Sequence, residues 1–162
     1  MAVRPLPFTG VYAPTNTDLI LILTQKLQNK PIPFDQVIHL DLYSNHPSTL
    51  LHNTQPAIKQ TQEHVIYTPR EINRLVLGGK VGIWKQVSDF GYVVKIDGND
   101  GNVIGREMRF VFYEGDVVDV GVVRKTDWCM TEFITLNEDE GGFAICKVGE
   151  DAAWAEFVER SV

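Results

Sequence analysis

Aromatic and basic side chains are interspersed between residues 80 and 125. Proteins that bind single-stranded nucleic acid stack aromatic rings on the bases and place basic side chains along the phosphates. We expect Trp84 to be the first stacking ring, because Val81 and Ile83 would occupy the opposite face of its strand. Packing inside a core is the alternative for each ring. The expected nucleic-acid contacts are Trp84, Lys85, Tyr92, Lys95 and Arg109.

The other residues capable of chemistry form no recognised catalytic or metal-binding pattern. His39, Asp41, His46 and His52 lie close in sequence, but their spacing matches no ligand motif, so we expect no metal and no cofactor. The sequence lacks a glycine-rich phosphate loop, GxSxG and HExxH, which disfavours an enzyme with a small-molecule substrate. A site made of scattered carboxylates would leave no motif and is the remaining enzymatic alternative.

The charge of the chain is unevenly distributed. The 162 residues include 15 basic and 21 acidic ones, for a formal net charge of -6. Residues 80–125 balance seven bases against seven acids, whereas residues 126–162 hold two bases and nine acids. This balance disfavours tight, independent binding to nucleic acid. The length allows one hydrophobic core, or one domain with an extension.

The sequence is typical of an intracellular protein. Its longest aliphatic run, from Leu19 to Leu23, is far shorter than a membrane-spanning helix, and its first residues do not form a secretion signal. Cys129 and Cys146 have no CxxC motif around them, so we expect reduced thiols rather than a disulfide or a zinc site. We therefore expect no contact with a membrane.

Residues 1–77 are predicted to form an α+β extension ahead of the main domain. Asn16 or Thr17 can cap the first helix, and Pro31 ends it. A capping box at Thr68 places proline at the first helical position of a second helix. The predicted elements are an arm at 1–16, a helix at 18–29, a strand at 38–42 and a short capped helix from Thr68 to the double glycine at 78–79.

Residues 78–162 are predicted to form a small barrel followed by a helix. Alternating apolar residues separated by turn signals indicate five or six antiparallel strands, and glycines inside strands suit the bends of a closed sheet. The last strand could instead continue the fifth after a bulge. The predicted strands are 81–83, 90–96, 102–110, 117–123, 129–136 and 143–148. Glu150 and Asp151 open the terminal helix, whose apolar side carries Ala153, Trp154, Phe157 and Val158.

The segments Gly79-Lys80-Val81-Gly82, 91–98 and 115–123 carry a GV strand, a DG hairpin and a V-x-V-x-G-x-V strand in this order. This half of the chain resembles the small OB-fold subunits of eukaryotic single-stranded DNA maintenance complexes. Those include the smallest subunit of replication protein A, the OB subunit of the RecQ-mediated genome instability complex and telomere-capping subunits. The resemblance implies a mostly β fold, a five-stranded OB-like barrel with a C-terminal helix.

The resemblance also implies a function. It suggests a non-catalytic nuclear subunit, acting in DNA replication, repair or telomere maintenance, that assembles with another OB-fold protein and contacts single-stranded DNA. The partner would dock on the terminal helix through Trp154, Phe157 and Val158, although that helix could instead pack on its own barrel.

Two other functions remain open from the sequence. Lys80-Val81-Gly82-Ile83-Trp84, followed by segment 89–93, is similar to the first strands of cold-shock domains. That similarity implies a direct binder of single-stranded RNA or DNA, in the nucleus or the cytoplasm. The third possibility is a viral interaction protein that uses a barrel as a scaffold, which would accommodate the unmatched residues 1–77.

Overall fold

A computed structural model describes residues 14–32, 36–71, 73–77, 82–87, 91–95, 102–115, 123–136 and 142–151, with the backbone alone for 92–95. Two helices and eight strands make up this part of the chain. In chain order they are α1 (Asn16–Leu27), β1 (Val37–His39), α2 (Pro47–Leu50), β2 (His64–Pro69), β3 (Leu75–Val76), β4 (Gly82–Gln86), β5 (Gly91–Lys95), β6 (Asn102–Glu114), β7 (Arg124–Thr135) and β8 (Phe143–Glu150).

Helix α1 begins at a complete capping box. The backbone N–H of Asp18 donates to the Thr15 hydroxyl at 3.1 Å, and the N–H of Thr15 donates to the Asp18 carboxylate at 2.9 Å. These bonds satisfy amide groups that a helix N-terminus leaves without partners. The predicted helix at 18–29 is therefore confirmed, although it begins and ends two residues earlier.

The eight strands form one sheet in the order β1-β2-β8-β7-β6-β4-β3, and β5 also pairs with β6. Strands β1 and β2 are parallel, and every other pair is antiparallel. The order starts at β1 and ends at β3, and in the described residues these two strands do not pair with each other.

The prediction of a five-stranded OB-like barrel is wrong. Eight strands share one sheet, and strand β2, from the first half, pairs with β8 over six positions from His64 to Pro69. The sheet therefore crosses the predicted boundary between residues 1–77 and 78–162 without a break. Alternation in the sequence indicated most of these strands, but alternation does not specify which strand pairs with which.

Both faces of the sheet are buried along its centre. One face carries a core that includes Trp84, Phe110 and Phe112. Helix α1 covers the other face, where its residues pack with Val65, Phe133 and Ile145. Burial on both faces explains why consecutive apolar residues are buried at Phe110–Phe112 on β6 and at Ala144–Cys146 on β8.

The second predicted helix, from Thr68 to the double glycine, is wrong. Thr68 and Pro69 are the last residues of strand β2, and β3 follows at Leu75–Val76. The buried Thr68 hydroxyl accepts a bond from the backbone N–H of Leu42 at 2.9 Å instead of capping a helix. A capping box is a local signal, and tertiary pairing with β8 overrides it here.

The remaining predicted elements have mixed outcomes. Strands overlap the predicted ranges 81–83, 90–96, 102–110, 129–136 and 143–148, and β8 is a separate strand rather than the end of β7. Strands β4, β6 and β8 extend past the predicted ends, and β7 begins five residues earlier than predicted, at Arg124. The predicted strand at 38–42 is limited to Val37–His39. The predicted strand at 117–123 and the terminal helix fall almost entirely outside the described residues. No helix in the described residues has the length and apolar character needed to cross a membrane.

Candidate nucleic-acid interface

Strands β4 and β5 lie end to end along one edge of β6. Gln86 pairs with Phe110 and Gly91 pairs with Glu107, so the chain advances five residues while the register on β6 advances three. At this interruption the backbone N–H of Val87 donates to the carbonyl of Arg109 at 3.0 Å. The sheet therefore has an irregular edge directly beside Arg109.

Two of the predicted cationic contacts lie at this edge. Lys85 on β4 and Arg109 on β6 are exposed, and Lys85 is paired with Val111, the next residue after Arg109 on that face. Diagonal neighbours in a sheet are roughly 7 to 8 Å apart. The Lys85 ammonium lies 5.5 Å from the centre of the Tyr113 ring, which supports a cation–π contact. The structure brings these two cations together, and their binding role stays a prediction.

Trp84 has a different role from the predicted one. Its side chain is 1% exposed and packs against Phe112 with ring centres 5.1 Å apart. The ring therefore has no free face on which a base could stack. Gly82 and Trp84 point to the core, and the exposed Lys85 is on the other face, so the sequence prediction assigned the faces of this strand in reverse.

The other predicted contacts lie on β5 and beyond residue 151. Tyr92 and Lys95 belong to β5, for which the structure describes the backbone alone. Trp154, Phe157 and Val158, the predicted docking residues of the terminal helix, lie outside the described residues.

A buried ion pair lies behind the irregular edge. Arg74 donates to both carboxylate oxygens of Glu132, one of them at 3.0 Å, and to the Tyr43 hydroxyl at 2.8 Å. The Glu132 side chain is completely buried, and Arg70 approaches it to 3.8 Å. Charged groups are buried at this depth only when they are paired and hydrogen-bonded.

The pKa values at this cluster reflect the same packing. Burial raises the pKa of Tyr43, and the nearby Cys146 and Glu132 add to the rise. Burial alone would lower the pKa of Arg74, but its hydrogen bonds to Glu132 and the charge of that carboxylate raise the pKa overall. Arg74 is therefore a permanent cation.

The Arg74 side of the ion pair is also bonded to β4, the strand that carries Lys85. Arg74 adopts a left-handed backbone conformation with φ of 58°, and its carbonyl accepts a bond from the Trp84 N–H at 2.9 Å. The sequence analysis missed this cluster. The available signal was Glu132, which alternation places on the same face as the apolar Met130 and Ile134.

His46 joins the loop after β1 to the end of β6. Its Nε2 lies 2.9 Å from a carboxylate oxygen of Glu114, and its Nδ1 accepts a bond from the backbone N–H of Ser48 at 3.1 Å. Because Nδ1 is an acceptor, Nε2 carries the proton and donates to Glu114. Glu114 also pairs with Arg124 across the β6–β7 ladder. His46 thus caps α2, which accounts for its closeness to Ser48.

The histidines do not assemble into a metal site in the described residues. His39 lies against Lys26 and the Tyr67 ring, whereas His46 is bound to Glu114. Burial and the charge of Lys26 lower the pKa of His39, so this imidazole is neutral near pH 7.

Comparison with known proteins assigns the family. Residues 8–135, more than three quarters of the chain, match the family described as No apical meristem (NAM) protein. The chain belongs to the NAM/NAC domain family. It is 32% identical over 131 residues to an Arabidopsis thaliana protein described as NAC domain-containing protein 94. That alignment covers 75% of this chain and 36% of the relative, so the chain spans about a third of the relative's length.

Membership in the NAM/NAC family overturns the resemblance to OB-fold subunits. The predicted single-stranded DNA complex, its OB-fold partner and the cold-shock alternative are not supported, because the motifs that suggested them reflect short strands and turns rather than a particular fold. The NAM/NAC match contains α1 and β1 to β7, with Lys85, Arg109 and the Arg74–Glu132 pair. Strand β8 (Phe143–Glu150), which lies between β2 and β7, follows the matched region.

Proposed function

We propose that this chain is a DNA-binding domain of the transcription-factor type, that its ligand is double-stranded DNA and that it acts in the nucleus without catalysing a reaction. The proposal is supported first by family. NAC-domain proteins are typically non-enzymatic transcription factors that bind DNA. A binding domain of this kind needs an exposed cationic surface and no bound cofactor.

The observation that carries the proposal for this chain is the pair of exposed cations at the irregular sheet edge. Lys85 and Arg109 lie on one face, and in the described part of the chain neither is engaged by a carboxylate. Unpaired cations beside an edge strand are available for phosphates or for base edges in the major groove. The Arg74–Glu132 pair behind β4 supports this surface from the core.

The acidity of the chain limits how many phosphates it can contact. Each phosphate that a protein neutralises on duplex DNA adds about -0.9 to the slope of log affinity against log salt. With Lys85, Arg109 and one further cation, we expect a slope of about -2 to -3 for one domain. Binding should therefore be weak and should disappear at high salt.

We further propose that the partner of this domain is a second NAC-type domain, since NAC-domain proteins dimerise with one another. A dimer presents twice the number of cations to one duplex, so its salt slope would be about twice that of a single domain. Measuring the molar mass in solution together with the salt slope distinguishes the single domain from the dimer.

The test is a binding experiment at low salt. Fluorescence anisotropy would compare a random-sequence duplex with its separated strands, using the intact chain and the variants Lys85→Ala and Arg109→Ala. We expect the duplex to bind more tightly than either strand, and each variant to weaken binding about three- to tenfold.

Lys59→Ala is the matched control, because Lys59 is also exposed but lies in the loop before β2, four strand positions from β4. This variant should bind like the original chain. Tighter binding to single strands, no binding at low salt, or an equal effect of Lys59→Ala would each contradict the proposal.

A further inference from the structure

A small pocket of about 240 Å³ opens on the sheet face that α1 covers, away from the core behind Lys85. Its floor is the paired residues Cys129 on β7 and Gly149 on β8. Gly149 lies under the loop before β2, where a Cβ atom would stand 3.3 Å from the Gln62 carbonyl and from Cγ of Glu63. The absence of a side chain at Gly149 therefore keeps the pocket open.

One end of this pocket is cationic. Thr131 is paired with Arg109 on one side and with Lys147 on the other, so the three side chains form a row across β6, β7 and β8. Neither cation is held by a carboxylate in the residues that the structure describes, and the Lys147 ammonium lies 5.7 Å from the centre of the Phe133 ring. The row offers two charges and one hydroxyl to an anionic group.

The other end is acidic. Glu63 lies beside Gly149, two residues along the strand from the cationic row, and accepts a bond from the Thr61 hydroxyl at 2.7 Å. Glu150 and Asp151 also line the pocket. With a strand rise of about 3.4 Å per residue, the cationic row and Glu63 are roughly 7 Å apart along the sheet.

The floor between the two ends is neutral. The Cys129 thiol donates to the carbonyls of Asp127 at 3.5 Å and Asp151 at 3.8 Å. Burial, followed by the Asp151 charge, raises the pKa of Cys129 to about 12, so the thiol stays protonated at neutral pH. A pocket with separated charges and a neutral floor disfavours a phosphate dianion, which the three carboxylates would repel.

We propose that this pocket binds a small zwitterion of dipeptide length, with its carboxylate at Arg109, Thr131 and Lys147 and its ammonium at Glu63. Two extended residues span roughly 7 Å, which matches the separation of the two charged ends. This site shares Arg109 with the proposed DNA contact. The test therefore contains no nucleic acid and changes Lys147 and Glu63, which take no part in that contact.

Titration with glycylglycine, followed by NMR chemical shifts of the intact chain, tests the proposal. We expect chemical-shift changes at Thr131 and Gly149. Glycylglycine should bind at least about tenfold more tightly than N-acetylglycylglycine, which lacks the ammonium, and than glycylglycinamide, which lacks the carboxylate. Lys147→Met and Glu63→Gln should each weaken the binding of glycylglycine by about tenfold.

Lys30→Met is the matched control, since Lys30 is exposed beyond the end of α1 and does not line the pocket. If the two capped analogues bound as tightly as glycylglycine, the proposal would be contradicted and the contact would be a simple ion contact. Unchanged binding by Lys147→Met, or no shifts at high glycylglycine concentration, would also overturn it.

Discussion

Glu132 is the residue on which the core is most dependent. Its carboxylate is completely buried and is satisfied by Arg74, with Arg70 nearby. An isolated buried charge is highly unfavourable, so the two partners must be kept together. The cluster also links β7 to β4, because the carbonyl of Arg74, directly before β3, accepts a bond from the Trp84 N–H.

We predict that Glu132→Gln lowers the free energy of unfolding by about 3 to 5 kcal/mol, because it leaves the Arg74 guanidinium buried without a counter-charge. Urea denaturation measures this change. Glu71→Gln, at an exposed position three residues before Arg74, is the control and should change the free energy by less than about 0.5 kcal/mol. Equal, small losses in both variants would show that the buried pair contributes no more than a surface charge.

The buried cysteine gives the stability a dependence on alkaline pH. Burial and, secondarily, the Glu132 charge raise the pKa of the Cys146 thiol well above its ordinary value. Above about pH 8.5 the unfolded thiol releases its proton while the folded one retains it, so the folded state binds more protons. The free energy of unfolding must therefore fall as the pH rises through this range.

Cys146→Ala removes this contribution, so we predict a shallower fall in stability between neutral pH and about pH 10.5 in the variant. Urea denaturation with reductant at each pH measures how steeply the free energy of unfolding falls with pH. A constant loss of stability from the smaller alanine side chain does not change this slope. Cys129, Tyr43 and Tyr67 also have raised pKa values and should leave a residual slope. Identical slopes in the two proteins would refute the assignment to Cys146.

At the scale of the element, two glycines allow close packing rather than sharp turns. A Cβ atom at Gly105 of β6 would stand 2.4 Å from Cδ1 of Ile20 on α1 and 2.6 Å from the carbonyl of Ile134. A Cβ at Gly82 of β4 would be 2.3 Å from the Phe112 ring. Glycine inside strands, at Gly82, Gly91 and Gly121, had suggested the bends of a barrel, but Gly82 accommodates the Phe112 ring instead.

We predict that Gly105→Ala destabilises the protein by about 1 to 3 kcal/mol, since the Ile134 backbone cannot easily move away. Gly91→Ala is the matched control in the same sheet. Its nearest neighbour would be the flexible Glu107 side chain at 3.2 Å, which can turn aside. Thermal denaturation should show a clearly lower midpoint temperature for Gly105→Ala and little change for Gly91→Ala. Equal midpoint temperatures in the two variants would contradict the packing argument.

At the scale of the whole molecule, the sheet joins both halves of the sequence. Strand β8 needs β2, with which it shares six paired positions, and α1 covers the face of β7 and β8. Each half alone would expose an apolar sheet face and a strand edge. Residues 1–77 and 78–162 should therefore fold together.

We predict a single cooperative unfolding transition for the chain, with the same midpoint by far-ultraviolet circular dichroism and by tryptophan fluorescence. The fragment 78–162 should show no cooperative transition, because it lacks both β2 and α1. A fragment that unfolds cooperatively with a free energy near that of the whole chain would instead support two separate domains.

The sequence by itself determined the local elements. Asn16 or Thr17 as a cap and Pro31 as a stop predicted α1, although the cap in the structure is Thr15. Alternation predicted most of the strands, because both kinds of signal depend on neighbours within a few residues.

Only the tertiary structure decided the long-range features of this protein. The partner of each strand, the burial of Trp84 and the pairing of Glu132 with Arg74 depend on residues far apart in the chain, and no local pattern specifies them. The residues around Thr68 show the reason most directly. Their local sequence is that of a helix N-terminus, but they form the end of strand β2 because β8 pairs with them.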